Sequence, residues 1–164
     1  MARGYAVTLN GTITNAGADT DLGSFQPADD VPIRMWGFLL SQISEVGDAA
    51  EEGLRITVKY LPATFTVGSG GNAVTAISPC NDPAGTVWSM TARTNDTTVA
   101  TSSGTVLIRQ EIGWNERNSP YDFFFPNELF APMARQGTGI CVRQETTAAD
   151  DYSGTFTFWI EEPS

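Results

Sequence analysis

"SGTFTFWIEE", Ser153–Glu162, decides how this chain folds. Along an extended backbone Phe156, Phe158 and Ile160 point one way, and Thr155, Thr157 and Trp159 point the other. A two-residue period with one apolar row marks a strand with one buried face. "LRITVKYL", Leu54–Leu61, repeats the pattern: Ile56, Val58 and Tyr60 face in, Arg55, Thr57 and Lys59 face out, and Pro62 ends the run.

Working outward, the same signal recurs over Val87–Thr94, Val106–Ile112 and Gly139–Glu145, with shorter runs at Ala63–Val67 and Ala73–Ser78. Tyr5–Thr14 reads as a strand, or a hairpin broken at Asn10-Gly11. Val31–Ser44, "VPIRMWGFLLSQIS", is the strongest apolar run and reads as a central strand. Its Trp36, Phe38 and Leu40 are expected on one face and Ile33, Met35 and Leu39 on the other, with a helical turn to follow through "SEVGDAAEEG". Polar stretches at 15–30, 68–72, 79–85 and 94–104 read as loops. The sum is an all-β chain of about 8–10 strands with at most one or two short helices, without the intervening helices a parallel sheet needs. The expected fold is an antiparallel β-sandwich or jelly roll.

The length of 164 residues suits one domain over 1–164, with 1–30 expected as an extended N-terminal arm. The N-terminal "MARGYAVTLNG" has no apolar core of a leader, so retention in a cytosol is the expectation. No run approaches the length of a membrane span, so no membrane partner is expected. Nine basic against 19 acidic residues, net −10, disfavour direct nucleic-acid binding, because no basic patch displaces counterions. An acidic surface suits solubility, and a partner with a basic face.

Chemistry is sparsely provided for. The chain has no His, and therefore lacks the commonest general base and metal ligand. No G-x-S-x-G, Walker or zincin pattern occurs, and "GSGGNA" lacks a closing Lys-Ser/Thr. The paired carboxylates Asp29-Asp30, Glu51-Glu52, Asp150-Asp151 and Glu161-Glu162 read as solvated turns and tails. Asn15, Asp19 and Asp21 offer oxygen donors in one loop but lack the spacing of a calcium loop. Cys80 and Cys141 read as buried thiols, with a disulfide left open. No enzyme activity, cofactor or metal is expected. Of the four tryptophans, Trp36 and Trp159 are expected in the core or between sheets. Trp114, following a strand into "NERNSP", is the expected ligand-facing aromatic.

"SPYDFFFPNELFAP", 119–132, carries an apolar excess that a one-sided strand does not explain. Phe123, Phe124 and Phe125 alternate sides, so both faces must be dry. One face can be the chain's own core; the other needs a loop, the N-terminal arm or a neighbouring subunit. A helical turn is expected from Pro126 or Asn127, tucking Leu129 and Phe130 onto the sheet. Tyr121, Phe123, Phe124, Phe125 and Phe130 are the expected interface residues.

Taken with "VPIRMWGFLLSQIS" and "SGTFTFWIEE", this acidic, helix-poor chain resembles the auxiliary virion proteins of tailed bacteriophages. These are the capsid decoration (cement) proteins and the small β-sandwich proteins of tails and fibres. The resemblance implies a structural protein made in the host cytoplasm and carried in the virion. It implies a homo-oligomer, a trimer foremost, that binds major capsid or tail proteins. It also admits a tail-tip or fibre module recognising a host surface glycan, with Trp114 and Tyr121 near the site.

Overall fold

The computed structural model describes residues 1–13, 18–43, 53–115, 120–145 and 152–163. Among these the chain forms strands and no helix. In order they are β1 (Arg3–Ile13), β2 (Thr20–Gln26), β3 (Ile33–Gln42), β4 (Gly53–Leu61), β5 (Asn72–Ala73) and β6 (Thr91–Asp96). They continue as β7 (Leu107–Asn115), β8 (Tyr121–Phe124), β9 (Met133–Ala134), β10 (Gly139–Glu145) and β11 (Tyr152–Glu162). One sheet runs β1-β11-β3-β8, with β9 also on β3; the other runs β5-β6-β2-β10-β4-β7. Every pairing is antiparallel.

The pairings nest. β1 joins β11, β2 joins β10, β3 joins β8 and β4 joins β7. This is a ribbon folded so that its strands fall alternately into two facing sheets, which is the jelly-roll order. The expected all-β sandwich is therefore present, and its topology is the second of the two forms. β5, β6 and β9 are additions to the eight-stranded frame.

The core lies between the sheets. Val7, Phe38, Phe156 and Phe158 from one meet Leu22, Phe25, Ile56 and Val142 from the other in one buried cluster. Rings interlock edge to face across the gap, Phe25 on Phe158 at 5.5 Å and Trp114 on Phe156 at 6.2 Å. The inward parity read for β4 and β11 holds. In β3 it does not: Ile33, Met35, Phe38 and Leu40 are buried while Trp36 and Leu39 are only partly so. The cause is a bulge. Ile160 pairs with Met35 but Trp159 pairs with Gly37, so Trp36 is an extra residue that resets the alternation.

The expected arm over 1–30 is not an arm. β1 pairs with β11 along its whole length, without a break at Asn10-Gly11, and β2 is an inner strand of the second sheet. Polar composition hid β2 because its outer face is buried too. The chain between β4 and β7 folds back over it, and Leu61, Phe65, Ala100 and Cys141 form a second apolar cluster there. Phe65 lies so close on Gly139 that an added Cβ would meet its ring at 2.5 Å. Beside this cluster Arg143 Nε donates to Asp21 Oδ1 at 2.6 Å, the Ala100 N–H donates to Asp21 Oδ2 at 2.6 Å, and Arg143 Nη2 donates to the Ala100 carbonyl at 2.9 Å. Asp21 is thus fully engaged as an ion-pair partner, not a cation ligand. Both cysteines are free, Cys141 buried as expected and Cys80 exposed.

The same β4–β7 connection closes the edge beside β1. Cys80 N–H donates to the Gly4 carbonyl at 2.7 Å, Gly4 N–H donates to Asn81 Oδ1 at 3.1 Å, and Asn95 Nδ2 donates to the Thr12 carbonyl at 2.9 Å. Capping an edge in this way blocks further strand addition. Within this connection the expected strands are shorter than read: 63–67 makes one bridge, Thr66 to Thr101, and 73–78 and 87–94 shrink to β5 and β6. The helical turn expected over 44–53 falls almost wholly outside the described residues.

Two predictions follow from the buried polar groups. Asp21→Ala strands the Arg143 charge in a dry site and is expected to cost about 3–5 kcal/mol in urea unfolding; Asp21→Leu/Arg143→Met should cost clearly less. Tyr5 donates to Glu162 Oε2 at 2.9 Å in the core. Burial, then that hydrogen bond, then the Glu162 charge raise its phenol from 10.0 to about 12. The unfolded chain therefore releases this proton first. The contribution to stability is whole below pH 10.0 and is lost as pH rises towards about 12. Thermal melts across that window should fall more steeply for the wild type than for Tyr5→Phe.

Candidate functional site

The aromatic segment lies at the side of the sandwich opposite the capped edge. In β8, Tyr121, Phe123 and Phe124 pair with Leu40, Phe38 and Gly37 of β3. Parity turns Tyr121 and Phe123 inward and half-buries them, with Phe123 against Phe38 at 5.5 Å and Phe125 at 5.0 Å. Phe125 is buried and its N–H donates to the Trp36 carbonyl at 2.9 Å. These three of the expected interface residues thus face their own chain. Phe124 and Phe130 stay exposed, at 52% and 64%.

After Pro126 the chain makes a single turn. Asn127 Oδ1 accepts from the Leu129 N–H at 2.9 Å, and the Asn127 carbonyl accepts from Phe130 and Ala131 at 3.2 and 3.1 Å. The turn does not tuck onto the sheet as expected. The turn is tied to the sheet by the Arg34–Glu128 ion pair at 3.4 Å and by buried Ala131, and beyond it the Pro132 carbonyl accepts from Met35 at 3.1 Å and β9 pairs with β3. The turn's apolar tip stands clear, with Leu129 87% exposed. A hydrophobic tip held by its own hydrogen bonds has already lost the freedom that binding would otherwise take from it.

A groove of about 810 Å³ runs between the two sheets here. Tyr60, Arg109 and Gln110 wall one side; Phe123, Phe125, Pro126 and residues 128–133 wall the other. Arg109 sits over the Tyr60 ring at 5.6 Å. A bulge at Arg109 resets the parity of β7, and Val106, Leu107 and Ile108 are exposed beside it. β7 ends the strand order of its sheet, so its outer edge is open among the described residues. Further along β7 the Arg55 guanidinium donates to Glu111 at 2.8 and 3.1 Å and holds that exposed carboxyl below the usual carboxylate range.

On the outer face of the other sheet, Phe124, Gly37 and Trp159 fall in one row across β8, β3 and β11. Phe124 lies across the glycine and stacks on Trp159, ring centres 4.5 Å apart and planes 22° apart. Only glycine fits between them, since a Cβ at position 37 would meet the Phe123 carbonyl oxygen at 2.1 Å. Trp36 joins this face through the bulge, with its Nε1 donating to Glu161 Oε2 at 2.8 Å and Arg34 over its ring at 5.7 Å.

Two of the tryptophans stand elsewhere than expected. Trp114 is 1% exposed, because β7 runs on through Asn115 and keeps it inward against Tyr152 and Phe156. It faces no ligand. Trp159 faces outward instead of filling the core, and Trp36 is partly buried, packed against the core cluster while its Nε1 reaches Glu161. For Trp159 the signal was in the sequence, in its alternation with Thr155 and Thr157; for Trp36 a bulge concealed it. Tyr60, Arg109, Leu129 and the run Val106–Ile108 were also missed, since two strands remote in sequence make the groove together.

Among the described residues no three His, Cys, Asp or Glu side chains gather as a metal site. Comparison of the chain with protein-family models, with curated proteins and with solved structures found no match.

Gly37→Ala should push β8 from β3 and lower stability by more than about 1 kcal/mol in denaturant unfolding, while Phe124→Ala, at an exposed position, should change it by much less. Equal losses would show that the close approach at Gly37 is not what seats β8.

Proposed function

We propose that this protein is a structural component of a virus particle, most specifically a capsid decoration protein, that acts by adhesion between subunits. The observation that supports it best is the open flank between β7 and β8. There a hydrogen-bonded apolar turn, Leu129-Phe130, borders a groove, beside the outer edge of β7, open among the described residues, where Val106, Leu107 and Ile108 are exposed. Apolar side chains grouped this way at an open edge suit a partner surface better than solvent. The opposite flank is capped by the chain's own hydrogen bonds. The acidic remainder, net −10, keeps other surfaces from sticking.

The step from adhesion to a virion is an analogy of fold, as jelly rolls build viral shells among many other proteins. The partners are further copies of the chain and a neighbouring capsid or tail protein.

Leu129→Asp/Phe130→Asp tests the adhesive flank. Native mass spectrometry should find the wild type as an oligomer and the variant as a monomer, with folding stability within about 0.5 kcal/mol because both positions are exposed. A wild type that stays monomeric and ignores intact particles would overturn the reading. Cryo-electron microscopy of the particle that carries the protein should place this flank against a neighbour.

A further inference from the structure

Most cations of this protein are matched by a carboxylate. Among the described residues Arg3 pairs with Glu162, Arg34 with Glu128 and Glu161, Arg55 with Glu111, Lys59 with Glu145, Arg93 with Asp96 and Arg143 with Asp21. Arg109 and Arg135 make no ion pair among those residues, although the chain carries 19 acidic against 9 basic side chains. Arg135 is exposed and forms no part of the groove wall; Arg109 lines the groove and lies over the Tyr60 ring at 5.6 Å. Glu128 is the one carboxylate on that wall, and the Arg34 guanidinium stands 3.4 Å from it. The rest of the wall is mostly apolar, with Phe123, Phe125, Phe130 and Met133 facing the β7 side. The groove is an apolar slot with one unanswered positive charge.

We propose that this groove binds a small monocarboxylic acid with an apolar body. Its volume, about 810 Å³, falls in the range of sites that hold small organic ligands. The phenylalanine rings offer the body a surface away from water. Arg109 selects the head. An uncharged apolar occupant would cover the guanidinium without giving it a partner, which costs free energy. A cationic occupant would set a second positive charge beside it. A carboxylate answers the planar fork with two parallel N–H···O bonds. The cation–π contact with Tyr60 already restrains the fork, so pairing takes less freedom from it. The field of a chain with net charge −10 opposes polyanions, which fixes the ligand at one negative charge with apolar burial as its main source of affinity.

The test is calorimetric titration of the full chain with octanoate, and with 1-octanol, octylammonium and acetate as matched probes. Octanoate should bind at millimolar concentration or better, and at least about tenfold more tightly than each of the other three, the scale of one hydrogen-bonded charge pair. Arg109→Gln should abolish the preference of octanoate over 1-octanol with the melt unchanged, because Arg109 is exposed and makes no ion pair among the described residues. Glu128→Gln removes the wall's carboxylate, leaves Arg34 with Glu161 at 3.2 Å, and should bind octanoate more tightly. Phe130→Ala should weaken octanoate and 1-octanol alike. No binding of octanoate, equal binding of octylammonium or acetate, or a preference for the acid that survives Arg109→Gln would each overturn the proposal. It does not rest on the adhesive role, and native mass spectrometry of the same samples separates the two. A chain that assembles without binding octanoate overturns this proposal alone; one that binds it without assembling overturns the adhesive reading alone.

Discussion

The pairing of the first strand with the last holds this protein together. β1 and β11 run side by side from Arg3–Glu162 to Ile13–Tyr152 without a register shift. That alignment sends Tyr5, Val7 and Leu9 inward together with Phe156, Phe158 and Ile160, and it leaves Thr8, Thr157 and Trp159 outside. A slip of one residue would exchange the two sets. Because these strands come from opposite ends of the chain, their loop closure must be offset by the core they complete. Folding is expected to be slow and cooperative for that reason.

Folding a ribbon in this way leaves two open sides, and the chain treats them differently. On the side of β1 the long β4–β7 connection supplies backbone and side-chain partners at Gly4 and Thr12 and lays Phe65 and Ala100 over the second sheet. The Asp21–Arg143 pair, bonded to both backbone groups of Ala100, ties this cover down. On the other side β7 and β8 are left as edges with a groove between them and an apolar turn beside it. A long connection closes one flank, while Leu and Phe stand exposed on the other. The asymmetry supports an adhesive role more directly than the fold does.

Much of the fold was legible from the two-residue period. Where apolar and polar residues alternate strictly, as in β4 and β11, the sequence shows which side chains point into the core. Legibility failed where a covalent or tertiary detail changed that rule. β2 looked like a loop because Thr20, Asp21 and Ser24 are polar, yet all three are buried, Asp21 against Ala100 of the β4–β7 connection. Bulges at Trp36 and Arg109 reset the parity of β3 and β7. Of the candidate interface, Phe124 and Phe130 were placed on the surface, while Tyr121, Phe123 and Phe125 were absorbed by their own core. Trp114 failed because its strand is longer than its composition suggests. The groove itself needed Tyr60 and Arg109 beside Phe123 and Phe125, a proximity only the folded ribbon creates.

The account rests on one flank being built for contact. Hydrogen–deuterium exchange of the chain, alone at high dilution and then under conditions where the proposed assembly forms, measures this peptide by peptide. Slower exchange over 106–110 and 126–133, with β1 unchanged, is the expected result. Unchanged exchange at that flank, with slowing only at the capped β1 side, would contradict it.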